Sequence, residues 1–167
     1  MPNSTPAAID DRIYRSFRSL LHDRENAERV ILALIRAQHA WPAAGLVALV
    51  ADRDRRGAWA RANATVGAAW GAAKLISRTV RRPRPHLDDC PPARRKTDRE
   101  SFPSTHATVV FAAAIALRPL LPRTPLMLIA LMTAGGRLLL GEHYPSDVAA
   151  GALLGAAVAA AYDRSAL

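Results

Sequence analysis

The chain has 167 residues, half of them hydrophobic but only 5% aromatic, and a formal charge of +9. That length sets one domain, 1–167, as the default, and the basic balance points to an anionic partner such as nucleic acid, anionic lipid or a phosphorylated substrate. A single cysteine, Cys90, excludes an internal disulfide and a Cys-rich metal site. The polar start, MPNSTPAAIDDR, has no apolar h-region and does not read as a signal peptide.

A mean hydropathy near zero averages two populations. Arg-rich connectors alternate with stretches that hold no Lys, Arg, Asp or Glu: 105–117, 124–136 and 148–162. With their flanks, each approaches the roughly 20 residues of a membrane-spanning helix. They are apolar all round, with the small residues that let helices approach closely in lipid. The expected fold is all-α, an integral membrane bundle of about six helices plus an amphipathic N-terminal helix. The alternative is a soluble helical protein with buried central helices.

In chain order, residues 1–8 read as disordered. Residues 9–23 place Ile9, Ile13, Phe17, Leu20 and Leu21 near one face, the pattern of an amphipathic helix on a membrane surface or on the bundle. A further helical pattern spans 25–38. A short apolar helix follows over 41–51, with Pro42 near its start. Residues 59–80 form a long helix, ended by RRPRPHLDDCPPARRKTDRE (81–100), whose prolines and charge density demand a loop. Three helices follow, at about 104–120, 124–140 and 145–163. The motif-bearing core is about 60–160.

Three stretches could carry chemistry. In the loop, Arg81, Arg82 and Arg84 sit among prolines. Guanidinium groups grip phosphate in a bidentate manner, although on this stretch alone a basic patch touching lipid headgroups is the favoured description. At 103–106 the chain reads PSTH: Ser104 is a good helix N-cap, which puts Thr105 and His106 in a first turn that favours an anion. The bland alternative is a capped helix with an exposed histidine. At 136–147, GRLLLGEHYPSD, Arg137 reads as an uncompensated cation at a helix end. Pro145 suits the start of the next helix, and Asp147 lies one turn from His143. A carboxylate on one imidazole nitrogen fixes the tautomer and leaves the other for acid–base work; a mere staple of the turn is the alternative. Threading the helices up and down brings Arg84, His106, Arg137, His143 and Asp147 to one end of the bundle.

These motifs resemble the type 2 phosphatidic acid phosphatase family of membrane lipid phosphatases, whose signatures are K-x6-R-P, P-S-G-H and S-R-x5-H-x3-D. The second is Pro103-Ser104-Thr105-His106, with Thr for Gly. The third is Arg137, His143 and Asp147 at the family spacing, with Gly136 for Ser. In the first, Arg84-Pro85 is the best match, and seven residues before Arg84 stands Ser77 instead of Lys. Lys74 lies one turn earlier on the same face, and Arg78 or Arg81 could replace it. The resemblance implies hydrolysis of a phosphomonoester or diphosphate on a membrane lipid, such as a polyprenyl or phosphatidic-acid-like substrate. It implies His106 as the nucleophile that forms a phosphohistidine, and His143, oriented by Asp147, as the acid and base. Lys74, Arg84, Ser104, Thr105 and Arg137 would hold the phosphate. The expected partners are the lipid phosphate and membrane lipids, without nucleic acid; neither a metal nor a cofactor is expected. Arg- and Ala-rich usage points to a high-GC bacterial genome, and the expected location is the bacterial plasma membrane. The competing readings are a soluble acid phosphatase or vanadium-haloperoxidase-like enzyme, and a non-catalytic protein that binds anionic lipid.

Overall fold

The structure, a computed structural model, describes residues 5–20, 25–37, 40–93 and 100–164. Within them the chain forms seven helices: α1 (Pro6–Ser19), α2 (Glu25–Ala37), α3 (Trp41–Ala51), α4 (Arg56–Val80), α5 (Thr105–Ala116), α6 (Arg123–Leu139) and α7 (Pro145–Arg164). The all-α expectation agrees with this order. In the 81–101 loop the described residues make only two isolated bridges, Pro83 with Glu100 and Leu87 with Cys90.

Local chemistry sets the helix ends. Thr5 caps α1, its hydroxyl accepting from the Ala8 N–H at 3.4 Å, and Pro6 fills the first turn. Residues 5–8 therefore belong to a capped helix start, not to a disordered tail; residues 1–4 lie outside the described residues. α4 stops at Arg81, which takes a left-handed backbone (φ 49°) and donates its N–H to the Ser77 carbonyl. α6 ends before Gly141, whose φ of +69° turns the chain towards α7.

α5 is the central helix, packed against α7, α4 and α6; α3 leans on α4, α1 on α6 and α7, and α2 on α6. The core is built largely from small residues: Ala69, Ala73, Ala107, Ala112 and Ala130 are fully buried. Glycines allow α5 and α7 to cross closely. A Cβ at Gly151 would stand 2.6 Å from the Ser104 carbonyl oxygen, and one at Gly155 would strike the carbonyl of Thr108.

Two expectations bear on the membrane. Of the described helices, one stretch, Pro145–Asp163 in α7, is long and apolar enough to cross a membrane. The apolar parts of α3 and α5, Pro42–Ala51 and Thr105–Ala116, are shorter. At about 1.5 Å per residue, neither reaches the roughly 30 Å of a hydrocarbon core. α4 is long enough at 25 residues but contains Arg61, Lys74 and Arg78. The second concerns α1, expected on a membrane surface or on the bundle. Its apolar stripe does not face the bundle: Ile9 and Ile13 are 49% and 38% exposed, while Asp10 and Tyr14 are the buried pair. The helix docks by its polar side and turns its apolar side outward.

Candidate active site

The ends of α4 and α6, the starts of α5 and α7, and the 81–101 loop meet at one end of the bundle. A cavity of about 700 Å³ opens there and runs down between α3, α4, α5 and α6. Its upper wall carries Lys74, Arg84, Glu100, Thr105, His106 and His143. The rest is apolar, with Trp59 and Val66 from α4 and Val110 and Leu117 from α5. Because α4 and α5 run in opposite directions, Trp59 and Leu117 mark the far end from Lys74 and Thr105. The site is a polar head on an apolar groove.

His143 is the most constrained group. It is 3% exposed. Its Nδ1 lies 2.9 Å from the Ser101 carbonyl oxygen, and its Nε2 lies 3.1 Å from a guanidinium nitrogen of Arg84. A carbonyl can only accept and a guanidinium can only donate. The neutral ring therefore carries its proton on Nδ1, given to Ser101, and keeps a lone pair on Nε2. The Asp147 carboxylate stands at 3.8 Å from Nδ1. It adds negative potential, but the hydrogen bond expected of it belongs to Ser101. Asp147 instead accepts from the Tyr144 N–H and from Arg82, both at 2.9 Å.

The other expected residues divide. Lys74, Ser77 and Arg84 all line the cavity. Arg78 and Arg81 are exposed and are not part of its lining. Thr105 and His106 also line it, both partly exposed. Ser104 sits at the N-cap position of α5 but makes no capping hydrogen bond with its hydroxyl, which is buried. Its carbonyl accepts from the Thr108 N–H, and its own N–H donates to the Asp147 carbonyl at 2.9 Å. Arg137 is 1% exposed and pairs with the buried carboxylate of Glu142 instead of facing the cavity. The cation read as uncompensated has its counter-ion five residues on.

Three sets of contacts escaped the sequence reading, two of them made by arginines it had named. Ser101 acts through a backbone carbonyl, which has no side-chain signature. Arg84 is anchored by donating to the Glu142 carbonyl at 2.7 Å, a contact set by the turn. Arg82 binds Asp147 on one side and Asp10 of α1, at 2.9 Å, on the other, and its guanidinium lies 4.3 Å from the centre of the Tyr144 ring. Asp10 is mostly buried, which by itself disfavours the charged form. Hydrogen bonds from Ser146 and Arg82 outweigh that and hold its carboxyl below the usual range. Among the described residues, no group of three or more His, Cys, Asp or Glu is arranged to hold a metal.

With this geometry the comparisons are specific. The PAP2 superfamily profile matches residues 58–165, from α4 through α7. The chain belongs to the PAP2 superfamily. It is 42% identical over 127 residues to the decaprenylphosphoryl-5-phosphoribose phosphatase of Mycobacterium tuberculosis, covering 74% of this chain and 70% of that one. It is 40% identical over 92 residues to the lipid A 1-phosphatase of Rhizobium johnstonii, covering 50% and 38%. Its fold is similar to that of the transmembrane PAP2 type phosphatidylglycerolphosphate phosphatase from Bacillus subtilis, with a TM-score of 0.72 at 19% identity over 98% of this chain and 88% of the other. Family and relatives together support a phosphatase-type hydrolase.

Proposed function

We propose that this PAP2 protein removes a phosphate from a membrane lipid at a bacterial membrane, with a polyprenyl-linked phosphate as the preferred class. The carrying observation is His143: buried, its Nδ1–H held by Ser101, its Nε2 lone pair facing Arg84 at the polar head of an apolar groove. The similarity to decaprenylphosphoryl-5-phosphoribose phosphatases supports the substrate class. The outward apolar side chains Leu46, Val47 and Val50 of α3, Leu128, Leu131 and Met132 of α6, and Leu153 of α7 suit a lipid surround.

The geometry favours exchanging the two histidine roles expected from the sequence. In the proposed reaction Arg84 shifts its donors from Nε2 to the phosphate oxygens, joined by Lys74 and the first-turn amides of α5. The freed Nε2 lone pair attacks phosphorus. The P–O bond to the leaving oxygen breaks as His106 donates it a proton. The phosphohistidine carries charge that Asp147 and the Ser101 carbonyl stabilise. His106 then takes a proton from water, the hydroxide attacks phosphorus, and the P–N bond breaks to return Nε2. Arg84 and Lys74 supply the positive charge, and no step requires a metal.

The test is to trap the phosphoenzyme with a phosphate-labelled substrate that has a good leaving group. His143→Ala should form no acid-labile, alkali-stable phosphoenzyme. His106→Ala should form it and turn over slowly. The opposite pattern would restore His106 as nucleophile, and undiminished phosphate release in both variants would favour a non-catalytic lipid-binding protein.

A further inference from the structure

The family profile begins at residue 58, yet the buried face of α1 reaches the site from residue 10. Asp10 contacts Ser146 twice, accepting from its N–H at 3.0 Å and from its hydroxyl. It also accepts from Arg82 at 2.9 Å. Arg82 passes the connection on to Asp147 at 2.9 Å, and Asp147 faces the His143 Nδ1 at 3.8 Å. One turn along α1, Tyr14 is 1% exposed and donates its hydroxyl to the Cys90 carbonyl at 3.1 Å. One turn further, Arg18 donates to the carbonyls of Pro91 and Leu139. The residues at i, i+4 and i+8 thus form a polar stripe that ties the loop to the turn before α7. The opposite side of α1 is the exposed apolar one.

We propose that Asp10 is a positioning residue of the active site, setting the charge of the Arg82–Asp147 pair that faces His143, so that α1 is part of the catalytic unit and not only a membrane-surface helix. The inference rests on the reading of His143 as the nucleophile. Arg82 is shared between two carboxylates. With Asp10 neutral, its whole charge turns on Asp147. The negative potential at Nδ1 weakens, Nε2 becomes less basic, and the imidazolium-like phosphohistidine loses stabilisation. The other titratable or charged groups next to this chain of contacts are Tyr144, whose ring lies 4.3 Å from the Arg82 guanidinium, Arg84, which meets the His143 Nε2, and Glu142, which precedes His143 and pairs with Arg137. The Asp10 substitutions leave all of these in place. The substrate groove lies on the other side of His143, so binding should change little.

The experiment compares Asp10→Asn, Asp10→Glu, Ser146→Ala and His143→Ala in detergent-purified full chain, with a lipid phosphate as substrate. Asp10→Asn should lower kcat about ten- to a hundred-fold while KM moves much less, and should shift the acid limb of the kcat/KM profile to lower pH. Asp10→Glu should recover part of the loss. Ser146→Ala, which removes the hydroxyl that donates to Asp10 and accepts from Arg82 at 2.6 Å while leaving every charge in place, should move both readouts in the same direction by a smaller factor, and serves alone if Asp10→Asn does not fold. An unchanged pH profile and kcat in folded Asp10→Asn or Ser146→Ala, whatever happens to Tm, would overturn the proposal and leave α1 a structural clamp. Full activity in His143→Ala would instead refute the reading on which it rests.

Discussion

The crossing of α5 and α7 fixes the distance between the two histidines, and Gly151 is where that distance can be altered by one carbon atom. A Cβ there would stand 2.6 Å from the Ser104 carbonyl oxygen, 3.1 Å from the Ala107 Cβ and 3.2 Å from the Thr108 hydroxyl. Ordinary contact begins at 3.4 Å, so the start of α5 must retreat from α7 by about 0.8 Å. The obstacle is backbone and cannot rotate aside. It is also the backbone that accepts the first hydrogen bond of α5, from Thr108, while the neighbouring Ser104 N–H donates to Asp147. Gly151→Ala therefore moves His106 relative to His143 without touching either.

Overpacking of this kind costs about 1–3 kcal/mol, offset by roughly 0.5–1 kcal/mol from replacing a helical glycine. The net loss of about 0–2.5 kcal/mol corresponds to a fall in Tm of up to roughly 10 °C. A displacement near 1 Å between catalytic groups lowers turnover by about a hundred-fold, so activity should fall further than stability alone explains. Thermal unfolding in detergent and phosphate release from a lipid phosphate, measured on the same preparation, give both numbers. Gly71→Ala is the control, because a Cβ there meets nothing within 4 Å; it should leave turnover intact and raise Tm slightly. Wild-type Tm and turnover in Gly151→Ala, or an equal loss in Gly71→Ala, would refute the close-crossing explanation.

Glu142→Gln should destabilise the protein by about 3–5 kcal/mol, because it leaves the buried Arg137 charge without its carboxylate; chemical or thermal unfolding reads this directly. Thr105→Gly should widen the range of accepted headgroups, since Thr105 lines the polar end of the cavity where the family has glycine; kcat/KM across a panel of lipid phosphates would show it, and an unchanged ranking would dismiss Thr105 as a selector. Burial pushes the Tyr14 phenol up to about 12 from an ordinary 10. The stability it contributes is complete below pH 10 and lost as pH rises through about 12, so a phenolate absorbance titration should lose its high-pH step in Tyr14→Phe, and alkaline loosening of α1 should move with it.

The helices were legible because prolines and charge clusters punctuate a chain otherwise rich in helix-forming alanine and leucine. The face of α1 was not. Periodicity finds the apolar stripe, and burying that stripe is the right rule in water. When the surroundings are apolar, the same stripe turns outward and the polar side docks, as Asp10 and Tyr14 do. The first-motif ambiguity had a geometric cause as well. Spacing along a helix that ends at the left-handed Arg81 cannot say whether Lys74, Arg78 or Arg81 turns inward; Lys74 does. The structure sends Arg84 to the cavity and Arg82 to Asp10, a partner 72 positions away with no local trace. Arg137 differs in that its partner is near in sequence: Glu142 stands five residues on, and only the fold shows its buried carboxylate turned back onto the guanidinium.

The assignment of the two histidines shows where motif spacing stops being informative. Both sit at the start of a helix or just before one, and both have arginine within reach of the same cavity. Spacing treats them alike. What separates a nucleophile from an acid is the second nitrogen and the access of water. A nucleophilic imidazole needs one nitrogen locked as a donor, so that the other must present a lone pair, and it needs burial so that the ring does not turn. His143 meets both conditions through Ser101 and its 3% exposure. A general acid that later activates water must be reachable by water, and His106 is the partly exposed one of the two. The distinction follows from a backbone carbonyl 42 residues before His143, brought there by a loop whose sequence shows only prolines and charge.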